Sequence, residues 1–61
     1  MNLAIMRGMP RVGQTWQHRD GRLVRIDGLR RRGAVVEFID LQTHTGYERE
    51  IDSFLSAYRL V

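Results

Sequence analysis

The chain reads as an all-β domain, and three observations carry that reading. From Val12 onward, turn-forming residues recur after runs of about six residues, which is the spacing of a small β-domain. Within those runs apolar and polar side chains alternate, so one face of each segment is built for a core. Residues 34–40 (AVVEFID) add the β-branched and aromatic content that favours a pleated, half-buried surface.

Residues 12–18 (VGQTWQH) are expected as the first strand, with Val12 and Trp16 on one side. Arg19-Asp20-Gly21-Arg22 follows, and Asp-Gly between two strand-like runs predicts a type I′ hairpin turn with positive φ at both central residues. Residues 23–29 (LVRIDGL) form the second strand, in which Val24 and Ile26 share the core side while Leu23 and Arg25 face away. Gly28 inside that strand predicts a bulge or sharp bend. Arg30-Arg31-Arg32-Gly33 is the next turn, and residues 34–40 place Val36 and Phe38 on one face, Val35 and Ile39 on the other. A polar loop, residues 41–46, leads into residues 47–51 (YEREI), which set Tyr47, Arg49 and Ile51 on one side and Glu48 and Glu50 on the other. Asp52 or Ser53 is placed to cap a single helical turn that buries Phe54 and Leu55. Residues 58–61 (YRLV) close the chain as a fifth strand.

Four strands, one helical turn and a fifth strand resemble the order of the SH3-like small barrels. The resemblance implies a five-stranded barrel over residues 11–61, with a 3₁₀ turn at Phe54-Leu55 before the last strand. The expected core is Val24, Ile26, Val36, Phe38, Ile51, Phe54 and Leu60, with Trp16 sealing one end. Val12-Gly13-Gln14-Thr15-Trp16, Phe54 and Tyr58-Arg59-Leu60-Val61 also resemble a group of uncharacterised small proteins of phages and other mobile elements. The long acidic, aromatic first loop of signalling SH3 domains is missing, because Arg19 to Arg22 is too short to form it. Residues 1–10 are expected as a tail or an additional edge segment.

With 61 residues the chain is one domain near the lower size limit, and without cysteine no disulfide can brace it. A core of this size predicts help from self-association or a partner. All ten basic residues are arginine, against seven carboxylates, for a net charge of +3. Every cation is therefore a planar guanidinium suited to carboxylate, phosphate or aromatic faces. The short apolar run of residues 3–6 is too brief for a secretory core or a membrane span, so the expectation is a cytoplasmic protein without a membrane partner.

Three adjacent guanidinium groups at Arg30, Arg31 and Arg32 repel one another at a hairpin tip, which makes an external polyanion their natural partner. Arg22 and Arg25 are candidates to join them, as the phosphate-contacting set of a nucleic-acid-binding accessory factor. Trp16 in so small a domain is first of all the core's largest block, and Trp16 with Tyr47 is the alternative aromatic platform. A second reading is a module that docks on a host protein or on itself through the apolar residues outside the core, namely Leu3, Ile5, Met6, Leu23, Val35 and Ile39. Nothing predicts catalysis: no nucleophile elbow or phosphate-binding glycine motif occurs, and Glu48 and Glu50 fall on a solvated face. His18 and His44 lack metal-ligand spacing, and neither a cofactor nor a small-molecule substrate is implied.

Overall fold

Alternation gives each strand one apolar face, and five such faces must be covered by one another or by something laid across them. The computed structural model describes residues 8–61, so the expectations for Leu3, Ile5 and Met6 lie outside the described residues. Its strands are β1 (Thr15–His18), β2 (Leu23–Arg30), β3 (Val35–Asp40), β4 (Gly46–Glu50) and β5 (Tyr58–Leu60), with a helix α1 (Ile51–Ala57) between β4 and β5. All pairings are antiparallel, in the order β4-β3-β2-β1-β5. The first four strands form a meander, and β5 returns to lie beside β1. No ladder joins β4 to β5 among the described residues, so the sheet keeps two edges and does not close on itself.

The core holds Trp16, Val24, Ile26, Val36, Phe38, Phe54 and Tyr58, with Ile51 and Ala57 packed against it. Phe54 projects from α1 into the concave face, 5.3 Å from the Trp16 ring and 5.2 Å from Phe38, centroid to centroid. It also stacks on Tyr58 at 4.5 Å with the planes nearly parallel. Two core expectations fail. Leu60 is 47% exposed and Leu55 points to solvent, because Tyr58, two residues nearer the helix than Leu60, fills the space under Phe54.

Where a single 3₁₀ turn was expected before β5, the chain forms a seven-residue α-helix. Residues 51–57 contain no glycine or proline, and Ile51, Phe54 and Ala57 recur at the three-residue spacing of one helical face. Glu50 occupies the N-cap position without a side-chain hydrogen bond, so neither Asp52 nor Ser53 caps the helix. The other end is held from outside: the Arg19 backbone N–H donates to the Ala57 carbonyl at 3.0 Å and Nη2 to the Ser56 carbonyl at 2.8 Å. A cation on the last carbonyls satisfies them and complements the helix dipole. The tight turn at Arg31–Gly33 is closed by the Ala34 N–H on the Arg31 carbonyl but runs through positive φ, so it is not a right-handed 3₁₀ turn.

β1 begins at Thr15 rather than at Val12. Gly13 sits at φ 93° and bends the chain, so Val12 loses its alternation with Trp16 and is exposed. The turn is tied by Gln14, whose Oε1 accepts the Arg11 backbone N–H at 2.8 Å and the Trp16 indole N–H at 3.1 Å. The β1–β2 turn is not type I′. Gly21 has φ 101°, Asp20 is not left-handed, and His18 donates its backbone N–H to the Arg22 carbonyl across Arg19-Asp20-Gly21. That is the three-residue hairpin with one left-handed glycine. Asp20 holds it by accepting the Arg22 backbone N–H at 2.9 Å and pairing with the Arg22 guanidinium at 2.8 Å. The bulge expected at Gly28 is present as a register shift between Ile26 and Gly28.

Asp40, buried at the end of β3, organises the β3–β4 loop. Its Oδ1 accepts backbone N–H groups from Gln42 at 2.8 Å and Thr43 at 3.0 Å. Those bonds hold its carboxyl below the ordinary carboxylate value of 3.8, and the Arg22 N–H does the same for Asp20.

Two outcomes follow for stability. A domain of 61 residues has about 3–9 kcal/mol of total stability, and truncating a buried Phe costs about 3–5 kcal/mol, so Phe54→Ala should be largely unfolded by circular dichroism. A cost below about 1 kcal/mol would contradict this packing. Because both aspartate pKa values are depressed, their contribution is complete above the ordinary value of 3.8 and is lost as pH falls below it. Thermal midpoints measured from about pH 6 down to about pH 2.5 should therefore drop in the acid limb. Asp40→Asn, which keeps an oxygen acceptor but cannot titrate, should flatten that limb.

Candidate functional site

The β2–β3 tip is where the arginine run falls. Arg30 ends β2 in an extended conformation, and then Arg31 (φ 52°), Arg32 (φ 58°) and Gly33 (φ 89°) follow one another in the left-handed region. Glycine adopts that conformation freely, whereas for a residue with a Cβ it costs about 1–2 kcal/mol. Ala34 closes the tip by donating its N–H to the Arg31 carbonyl at 3.1 Å. Strain of this kind persists only where the surrounding structure imposes it, and it concentrates at functional sites.

The five candidate arginines do not converge. Arg30 lies on the outer face, the side of the sheet away from Phe54, where its Nε is 3.5 Å from Glu37 Oε2 and its Nη2 bonds Glu48. Glu37 and Glu48 are directly opposite each other on β3 and β4, so Arg30 neutralises a like-charge pair. Arg25 sits mid-strand, 4.0 Å from Asp27. Arg22 precedes the first residue of β2, at the end of the strand away from the tip. Eight strand residues separate them, about 26 Å at 3.3 Å per residue. Arg49 faces the core side, its guanidinium 5.8 Å from the centroid of the Tyr58 ring. Arg31 and Arg32 alone of the run have no carboxylate partner among the described residues.

Nor do Trp16 and Tyr47 make a platform. Trp16 is 3% exposed, enclosed by the core, so its role as the core's largest block is the one realised. Tyr47 is 47% exposed and stacks one side of its ring on Phe38 at 5.7 Å. Of the expected apolar interface, Leu23, Val35 and Ile39 do lie on the outer face. Leu23 is exposed, Ile39 half-buried and Val35 nearly enclosed.

No protein-family model, curated protein or solved structure matches the chain. The site's chemistry therefore rests on its own residues. His18 Nδ1 lies 3.0 Å from Asp20 Oδ1, while His44 stands in the β3–β4 loop at φ 62°. Among the described residues no three acidic or histidine side chains are placed to hold a metal ion, and no helix is long and apolar enough to cross a membrane. Ser53 and Ser56 face each other along α1, the Ser56 hydroxyl donating to the Ser53 carbonyl at 2.8 Å.

Sequence reasoning missed the left-handed backbone of the tip, since only Gly33 signalled positive φ. It also missed Glu48 as a partner of Arg30, because Glu48 is eighteen positions away and reaches it only through the register of two ladders.

If the tip backbone imposes the strain described, Arg32→Gly should raise stability by about 0.5–1 kcal/mol in urea unfolding, whereas Arg32→Ala should not. A loss of stability on Arg32→Gly would show that the side chain, not the backbone, decides the tip.

Proposed function

We propose that the protein is a small non-enzymatic binding module that contacts nucleic-acid phosphates through the β2–β3 tip, using Arg31 and Arg32. The observation that supports it is a pair of adjacent arginines in left-handed backbone at the hairpin tip, whose guanidinium groups have no carboxylate partner among the described residues. A guanidinium matches phosphate oxygens in bidentate geometry. Arg22 and Arg25, drawn to Asp20 and Asp27, and Arg30, drawn to Glu37 and Glu48, contribute to structure instead. The strand order, with β1 between β2 and β5 and a helical segment before β5, fits an open version of the SH3-like barrel. An accessory or regulatory role in a mobile element accords with the same reading.

The expected binding is weak and sequence-independent. Neutralising two phosphates gives a salt slope of about −2 on duplex DNA, so raising salt from about 50 to about 200 mM should weaken binding roughly tenfold. Fluorescence anisotropy of a labelled duplex and of a single-stranded RNA measures this. Arg31→Ala combined with Arg32→Ala should abolish the salt-dependent part, and Arg22→Ala should leave it unchanged. Absence of binding at the lower salt, or binding indifferent to the double substitution, would sink the proposal.

A protein-interaction module is the second reading, and the observation favouring it is the open edge of the sheet at β4, where all five residues are exposed.

A further inference from the structure

The β3–β4 ladder fixes which backbone groups of β4 remain unused. The Ile51 N–H donates to the Ala34 carbonyl at 2.8 Å and the Asp40 N–H to the Thr45 carbonyl at 2.9 Å, with Val36 opposite Arg49 and Phe38 opposite Tyr47 between them. Antiparallel pairs alternate between bonded and non-bonded positions, so Thr45, Tyr47, Arg49 and Ile51 turn their backbone groups towards β3. Gly46, Glu48 and Glu50 turn theirs outward, where no strand follows among the described residues. Such a row of unpaired groups is a template for another strand.

The side chains at that edge define what the strand must be. Glu48 and Glu50 share the outer face, and beside them a groove of about 320 Å³ is lined by Asp27, Glu37, Glu48, Gly46 and Tyr47. Arg30 and Arg25 answer some of that charge, while Glu50 has no ion partner among the described residues. On the core side the exposed ring of Tyr47 lies beside Glu48, and Arg49 stands between the two glutamates in sequence. A second copy is a poor occupant: twofold pairing through the outward groups sets Glu48 against Glu48, and a two-residue slip sets Glu48 against Glu50. Like charges directly opposite one another in a sheet repel.

We infer that the β4 edge, Gly46–Glu50, accepts by strand addition an extended segment of another protein whose residues facing Tyr47, Glu48 and Glu50 are apolar, basic and basic in turn. Its cations lie over Glu48 and Glu50 on the outer face, and its apolar residue packs on Tyr47. This surface adjoins the tip, since Arg31 lines one groove with Glu48 and Glu50, but it is opposite to the tip in charge.

The test uses the full chain and a synthetic peptide alternating arginine and valine, with a glutamate-valine peptide as its counterpart. Amide hydrogen exchange should slow about tenfold or more at Gly46, Glu48 and Glu50 with the arginine peptide and stay unchanged with the glutamate peptide. Glu48→Pro deletes an outward N–H without touching the β3 ladder and should weaken binding about tenfold or more, relative to Glu48→Gln. Glu50→Arg, a substitution at an exposed site that leaves the backbone intact, should weaken it comparably and reads the same edge if the proline variant fails to fold. Arg31→Ala combined with Arg32→Ala should not weaken peptide binding, which distinguishes this surface from the phosphate-binding tip. Equal protection by the two peptides, no protection at these amides, or full binding by Glu50→Arg would overturn the inference.

Discussion

Phe54 is the contact on which the arrangement depends. From α1 it touches rings on β1, β3 and β5, so one side chain ties together the first, middle and last strands of a sheet that no ladder closes. Without it the concave face would open to water between the β4 and β5 edges. Burying such a ring contributes about 3 kcal/mol, a large share of what a chain of 61 residues without disulfides can hold. The rest follows from seating it. Tyr58 must lie flat beneath Phe54, which displaces Leu60 to the rim, and α1 must stop at Ala57, which brings its last carbonyls to Arg19. The β1–β2 turn is thereby fastened to the helix that plugs the core.

The strands and their inward faces were legible in the sequence because period-two alternation is a local property. Val24 with Ile26, Val36 with Phe38, and the outward glutamates of β4 all fall where alternation puts them. Alternation does not say where a strand begins, so Val12 was assigned a core side that the bend at Gly13 removes. It also cannot rank two residues on the same face. Tyr58 and Leu60 both point inward from β5, and only the position of α1 decides that the tyrosine is buried. The Asp20-Gly21 pair announced a hairpin correctly, but the turn type depended on the Asp20 carboxylate bonding Arg22, a side-chain choice that dipeptide preferences do not encode.

The arginines illustrate the same limit for the candidate site. As a sequence they form one run and several satellites, all equivalent by charge. In the fold four of the satellites each meet a different group: Arg19 the helix carbonyls, Arg22 the Asp20 carboxylate, Arg25 the neighbourhood of Asp27, and Arg49 the Tyr58 ring. These assignments rest on register and turn geometry. A lysine would serve few of these places equally well, since a planar guanidinium can bond sideways to carbonyls or lie over a ring while its stem stays packed.

Arg30 shows why the tip and the β4 edge remain distinct although they are neighbours. Its strand position is even with Val35, so its side chain leaves the sheet on the outer face. There it meets Glu37 and Glu48, which the register sets opposite each other and which would repel without a cation between them. That pairing removes one positive charge from the tip and leaves it a compact patch of two. It also leaves the edge net negative, because one guanidinium faces two carboxylates and Glu50 stands beyond its reach. The separation of charge on this small surface is therefore set by strand register, with the sign of each patch determined by which face Arg30 takes.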